Sequence, residues 1–302
     1  MASVEQFALL KRNLADWNKW RLQKSHISID LSRARLRDAY LSGVNLSKAD
    51  LMGIDLSGSN LSGSDLGQTN LIEAKLRATN LIGTSLRGAN LGLSNLSGAN
   101  LSRADFSGAN LSGANLGGAN LSKANLFRAN LAGANLSGAN LSGANLSSVN
   151  LSGANLSESD LSGADLGFAN LLRANLVGAC LNWSNLAWSN LRSANLIGAD
   201  LVEADLSRAD LIGTQALGTN FTAANFSSAC LENWQINSAT QLDNAICDYV
   251  YLRSYKKERY PANRNFAIGE FADLFQNFGA KGSQAESAQN SSAKIFDQPL
   301  LA

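Results

Sequence analysis

Apolar and polar positions alternate along most of this chain with a period of five. A large apolar residue stands at Leu31, Leu36, Leu41 and every fifth residue after, 42 units in register as far as Ile236. Only Phe106, Ala216, Phe221, Phe226 and Ile236 depart from Leu. Two residues before each of these lies a small residue, nearly always Ala, Ser or Thr, and the residue between is usually Asn or Asp. A period of five fits neither the 3.6 of a helix nor the unbroken 2 of a strand. It fits a short strand followed by a corner. The small residue and the Leu are two apart and point inward together, while the Asn or Asp between them points out. The two residues that follow, often Ser-Gly, have turn chemistry. Four such sides predict a closed square coil of twenty residues, with four Leu and four small side chains on its axis. About ten coils spaced by roughly 4.8 Å make a rod roughly 50 Å long. Its stability is then a sum of coil and interface terms. Stacked Asn and Asp side chains are expected to form ladders, which makes residues such as Asn110 and Asn115 structural.

Units such as Ala134-Asn135-Leu136 and Ala164-Asp165-Leu166 match the Ala-(Asp/Asn)-Leu-x-x motif. The chain resembles the pentapeptide-repeat proteins over roughly two thirds of its length. That resemblance implies an all-β solenoid, a right-handed quadrilateral β-helix. Asp16-Trp17-Asn18-Lys19-Trp20-Arg21 resembles a lead-in found ahead of such repeats. Cys230, Trp234, Cys247, Tyr249 and Tyr251 resemble the closing segment of cyanobacterial members. Some relatives act in heterocyst differentiation, but no motif here carries that role over.

The ends break the pattern. Residues 1–26 are expected to form an N-terminal capping helix, with the helix itself over 4–24, because Phe7, Leu10, Leu14, Trp17 and Arg21 step by three or four. Its outer face reads as basic, from Lys11, Arg12, Lys19, Arg21 and Lys24. Such a cap covers the Leu plane and strand edges of the first coil. A membrane-binding or nucleic-acid-binding helix is the other reading of a basic amphipathic segment; two Trp favour a packed cap. His26, the single His, is read as structural. The solenoid is expected over 27–240. Near 211 it loosens: Ala216 takes a Leu slot, Phe221 and Phe226 refill the space, and Trp234 takes a small-residue slot. Gln241 then falls in a Leu slot, so register is read as lost by 237–240. A C-terminal cap is expected over 241–279: a strand at 245–252, a basic loop at 253–264, and a helix at 266–278 ended by Gly279. Residues 280–302 are polar, low in complexity and read as a disordered tail. Ile295-Phe296 and Pro299-Leu300-Leu301 in it are read as frayed rather than as a docking peptide.

Composition narrows the function. The 302 residues are 45% apolar and 16% charged, with net charge +1. There is no apolar run long enough for a transmembrane helix and no signal-peptide pattern at the start, so a cytoplasmic protein is expected. Cys180, Cys230 and Cys247 lack metal-ligand spacing and read as reduced thiols. No catalytic constellation, phosphate loop, cofactor motif or cleft for a small-molecule substrate is apparent, so an enzyme is not expected. Two binding roles remain: a rigid protein-interaction scaffold, or a DNA mimic directed at a type II topoisomerase, as the resemblance implies for some relatives. Residues 27–240 carry 13 Lys plus Arg and 15 Asp plus Glu, a net of −2. A DNA mimic of this length needs a strongly acidic face, since DNA carries one charge per about 1.7 Å. The scaffold, with a protein partner, is therefore favoured, and nucleic acid is not an expected partner. A monomer, or a dimer through the C-terminal cap, is expected.

Most outward slots hold Ser, Gly, Lys or Arg, so large apolar residues there stand out. Phe168 and Trp188 occupy the second slot after Leu, twenty residues apart, with Arg208 one coil further. Trp183 holds the equivalent slot on the neighbouring side, and Phe127 lies lower on the Phe168 side. Aromatics with Arg are the usual composition of binding hot spots, so these five residues form the candidate partner surface. The other reading is that the C-terminal segment folds back and covers them.

Overall fold

A computed structural model describes residues 3–281 of the chain. Isolated parallel bridges join each outward residue to the one twenty positions on, from Asp30↔Asp50 to Gln215↔Gln235. Four five-residue sides therefore close one coil, as the spacing predicts. Between coils the bonds are regular: Leu136 donates to Asn155 O (2.7 Å), Gly138 to Ser157 O (2.9 Å), and Asn135 to Ala114 O (2.9 Å). Each side is too short for a conventional strand, and each turns its corner with a bond such as Ala139 N to Leu136 O (3.0 Å).

The roles of the five slots follow from these bonds. The Leu side chains from Leu31 to Leu211 are buried along the axis, with the Ala residues of the neighbouring slot. Where Ser or Thr replaces Ala, the hydroxyl mostly reaches a backbone carbonyl. Thr84 Oγ1 donates to Leu61 O (2.8 Å) and Thr214 Oγ1 to Leu191 O (2.8 Å), which offsets the cost of burying them. The outward Asn does two things. Asn110 Oδ1 accepts from Ser112 N (3.2 Å), fixing the corner, and from Asn130 Nδ2 (3.1 Å) one coil above. On that side a ladder runs unbroken from Asn90 to Asn190. The last slot lies in the left-handed region, as at Gly113 (φ 64°) and Gly138 (φ 62°), which is why Gly recurs there.

The N-terminal segment is two helices, not the single helix expected over 4–24: α1 (Val4–Arg12) and α2 (Leu14–Gln23). Asn13 separates them in extended conformation (φ −164°), and its side chain accepts from Ala15 N (2.8 Å) to cap α2. Asn prefers that capping geometry to a helix interior. Arg21 is not on an outer basic face. It is buried, and its guanidinium donates to Ser47 O (2.9 Å) and Ile27 O (3.3 Å). Burial lowers its pKa. Trp17 is fully buried and donates from Nε1 to Asn45 O (2.8 Å).

At the other end the register is not lost. One extra residue enters between Ile236 and Gln241, and the coil resumes with Asn220↔Gln241, Asn225↔Ile246 and Cys230↔Tyr251. Leu242, not Gln241, takes the inward slot and is buried. The expected strand at 245–252 is shorter, and the expected loop at 253–264 contains a second strand. β1 (Val250–Arg253) and β2 (Lys257–Tyr260) pair antiparallel as a hairpin. α3 (Glu270–Lys281) begins later than expected and continues past Gly279. Ala280 and Lys281, expected as the start of a disordered tail, are helical; the side chain of Phe278 and residues 282–302 of that tail lie outside the described residues. α3 lays Phe271 and Phe275 on the last coils. Phe226 meets Phe271 at 5.2 Å, and Trp234 meets Phe275 edge-on at 5.2 Å. Phe221 and Phe226, in the two Leu slots after Ala216, are fully buried and touch each other at 5.1 Å.

Candidate functional site

Corner geometry places the candidate residues. In the column of last slots at positions 128, 148, 168, 188, 208 and 228, the residues are Arg, Ser, Phe, Trp, Arg and Ser. Twenty-residue coils stack Phe168 directly under Trp188: their ring centroids are 6.0 Å apart and nearly parallel, at 11°. The Arg208 guanidinium covers the Trp188 ring from the next coil, 4.7 Å from its centroid. All three have φ near 60°, a region that costs a bulky residue roughly 1 kcal/mol or more relative to Gly. Phe168 remains 64% exposed and Trp188 42%. The rings therefore lie on the surface in a slot where Gly is the unstrained choice.

The structure brings together Phe168, Trp188 and Arg208. Trp183, 61% exposed, stands at the preceding corner of the same coil as Trp188. The flat side between those two corners carries only small groups, Asn185 and Ala187, with Asp165 and Gly167 one coil below. Asn185 Nδ2 donates to Asp165 Oδ1 at 2.8 Å. Phe127 is separate: it is half-buried two coils lower, in the adjacent slot, with the Arg128 guanidinium 4.8 Å over its ring.

Two residues join the site that the sequence does not place there. The hairpin tip brings Lys256 Nζ to 5.4 Å from the Trp188 ring centroid, and Tyr255 beside it is 88% exposed. Among the described residues the C-terminal segment thus borders the aromatic column without covering it. Tyr255 and Lys256 both have positive φ (59° and 56°), a turn for which Ser-Tyr-Lys gives none of the usual Asn-Gly signal. Above Arg208, Ser228 N donates to Tyr249 O (2.7 Å), and the Arg259 guanidinium lies 4.1 Å over the Tyr249 ring. Hydrogen bonding to Ser228, then to Tyr251, with Arg259 and Arg208 nearby, holds the Tyr249 phenol below its usual pKa. No ion pair neutralises Arg208 or Lys256 among the described residues.

A four-sided solenoid with an apolar axis, amide ladders and large side chains at some corners defines a repeat protein whose surface chemistry resides in its corner slots. The family model for pentapeptide repeats (8 copies) matches residues 28–58, 54–92, 89–126, 124–163, 150–187 and 189–227. The chain belongs to the pentapeptide-repeat family. Among solved structures, HetL of the cyanobacterium Nostoc sp. strain PCC 7120, involved in heterocyst differentiation regulation, is 28% identical. That match covers 80% of this chain and 98% of HetL, with a TM-score of 0.36. Rfr23 of the cyanobacterium Cyanothece 51142 is 35% identical over 37% of this chain and 63% of its own, with a TM-score of 0.21. QnrB1, a plasmid-mediated fluoroquinolone resistance protein, is 23% identical over 59% and 89%, with a TM-score of 0.34. Superpositions this partial carry no argument about role. The comparison with curated proteins gives no match. No helix among the described residues is long and apolar enough to cross a membrane.

Proposed function

We propose that this protein is a non-enzymatic, rigid scaffold for protein–protein interaction, with its partner surface on the upper coils. The observation that carries this reading is the exposed Phe168–Trp188 stack under Arg208, built in a slot that favours Gly. Strained, exposed aromatics on a rigid backbone lose little conformational entropy on binding, and aromatic–Arg clusters dominate interface energetics. Lys256 and Tyr255 extend the surface onto the hairpin, and Trp183 extends it to the next corner. The Asp and Asn residues that could suggest acid–base chemistry are engaged in corners and ladders, which supports the non-enzymatic reading. The near-balanced charge of the rod argues against mimicry of DNA.

The test is the double change Phe168→Ser with Trp188→Ser. Both side chains are outward, so the melting temperature should move little. A partner captured by the tagged wild-type protein, identified by mass spectrometry, should be lost. Undiminished capture, or a large fall in stability, would overturn the reading.

A further inference from the structure

The N-terminal edge of the rod is capped on two of its four sides. In every coil a side directs three backbone groups toward the N-terminal end: the N–H and C=O of its outward residue and the C=O two residues on. Asp50 shows the pattern: its N–H donates to Ile29 O, its C=O accepts from Leu31 N, and Met52 O accepts from Arg33 N. In the first coil these groups belong to Asp30, Arg35, Tyr40 and Asn45 and the residues two after each. The helices satisfy the sides at Asp30 and Asn45 with substitute groups. Gln6 Oε1 accepts from Asp30 N (3.0 Å), and Ser3 N donates to Asp30 O (2.8 Å). Asn18 Oδ1 accepts from Asn45 N (2.9 Å), Trp17 Nε1 donates to Asn45 O, and Arg21 donates to Ser47 O. At the sides of Arg35 and Tyr40 the helices reach only the far corner, where Asn18 Nδ2 donates to Gly43 O (3.0 Å). Among the described residues, no protein group pairs with the N–H or C=O of Arg35 or Tyr40, or with the C=O of Arg37.

Beside that open edge runs a groove of about 180 Å³, lined by Leu10, Lys11, Arg35, Arg37 and Tyr40 over Leu41. Its apolar floor is continuous with the core, and Tyr40 is 87% exposed. Its charge is one-sided. Lys11 and Arg35 have no ion pair among the described residues, Arg37 reaches Asp55 only at 3.9 Å, and Asp38 is the nearby exposed carboxylate.

We propose that this edge is a second binding site, which takes an extended acidic peptide by strand addition. The peptide's main chain pairs with the free N–H and C=O of Arg35, bends with the corner at Asp38, and pairs with those of Tyr40, while its apolar side chains face Leu10 and Leu41. Its carboxylates meet Lys11, Arg35 and Arg37. Unpaired strand edges recruit extended segments in this way, with main-chain bonds supplying affinity and side chains supplying selectivity. Charge selects an acidic partner over a second copy of this chain paired head to head, because that dimer would face Lys11, Arg35 and Arg37 with the same cations.

The probe is a fluorescein-labelled peptide of alternating Val and Glu, titrated with the full-length chain and read by anisotropy. Saturable binding is expected, weakened at least about tenfold by Arg35→Glu with Arg37→Glu. The same peptide N-methylated at alternate residues keeps its charge but cannot pair, and it should not bind. Phe168→Ser with Trp188→Ser should leave the affinity unchanged, which separates this site from the aromatic column. Absence of saturable binding, equal binding of the N-methylated peptide, or equal affinity of the charge-reversed variant would overturn the proposal. So would a dimer in light scattering that the peptide does not dissociate. Should the charge-reversed variant misfold, the N-methylated peptide still decides the matter on the unaltered protein.

Discussion

Replacing Leu136 with Asp probes the axis of the rod at its middle. Leu136 is fully buried, with Leu116 and Leu156 below and above it in the same column. The inward neighbours Ala114, Ala134, Ala139 and Ala154 are also buried and offer no donor. Truncation of a buried Leu costs about 2–5 kcal/mol. An unpaired buried polar group adds at least about 1–3 kcal/mol, and more while charged. Together they approach the roughly 5–15 kcal/mol of a whole domain. Ser137, one residue on, is partly exposed, and its N–H keeps its bond to Asn135 Oδ1 (3.2 Å). Ser137→Asp should therefore stay within about 0.5 kcal/mol. The buried carboxyl has a folded pKa raised by desolvation. Its excess cost over Leu136→Asn should be largest above the ordinary carboxylate range and vanish below it. The five Trp lie at 17, 20, 183, 188 and 234, so fluorescence reports the two ends. Guanidinium unfolding by circular dichroism, with hydrogen exchange across residues 115–160, reads the middle. Equal destabilisation by Leu136→Asp and Ser137→Asp would refute the inward–outward assignment.

Three further outcomes concern the two terminal segments and the proposed capping role. Deleting residues 1–26 removes Gln6, Trp17, Asn18 and Arg21 from the first coil, and light scattering should show association; a monomer with unchanged melting temperature would contradict the capping role. Cys247 is buried, and burial pushes its thiol pKa up, so iodoacetamide should modify it far more slowly than the half-buried Cys180; equal rates by peptide mass spectrometry would contradict its enclosure. Arg264 donates to Glu270 Oε2 (2.6 Å), and this bonding, with Ala267 N, lowers the Glu270 pKa to about 2. A depressed carboxylate stabilises the folded form above its unfolded pKa of about 4.5 and loses that contribution as pH falls through about 2. The near-UV signal of Trp234 against Phe275 should weaken over that range, and Glu270→Gln should remove the dependence.

The coil was legible because each unit carries its own geometry: an inward pair, an outward amide and a corner. Local chemistry repeated in register also placed Phe168, Trp188 and Arg208 in one column. What the sequence hid depends on partners distant along the chain. Asn13 lies inside the span read as one helix, and only its capping of α2 shows the break. Arg21 reads as a surface cation, yet the carbonyls it serves lie at Ile27 and Ser47. Gln241 in a Leu slot reads as loss of register, whereas a single inserted residue lets Leu242 resume the core. The β2 strand, Lys257-Glu258-Arg259-Tyr260, lacks strand propensity and is held by pairing with β1. Lys256 could be placed at Trp188 only once that hairpin was known.

The column at positions 168, 188 and 208 holds the fold and the proposed surface together, and thiol cross-linking examines it directly. Phe168→Cys with Trp188→Cys puts two thiols one above the other, at strand spacing of about 4.8 Å. Phe168→Cys with Trp183→Cys puts them at different corners. Dibromobimane should bridge the first pair, giving fluorescence and a 168–188 linkage in peptide mass spectrometry, and should fail on the second. A bridged 168–183 pair beside an unbridged 168–188 pair would contradict the twenty-residue coil and the column built on it.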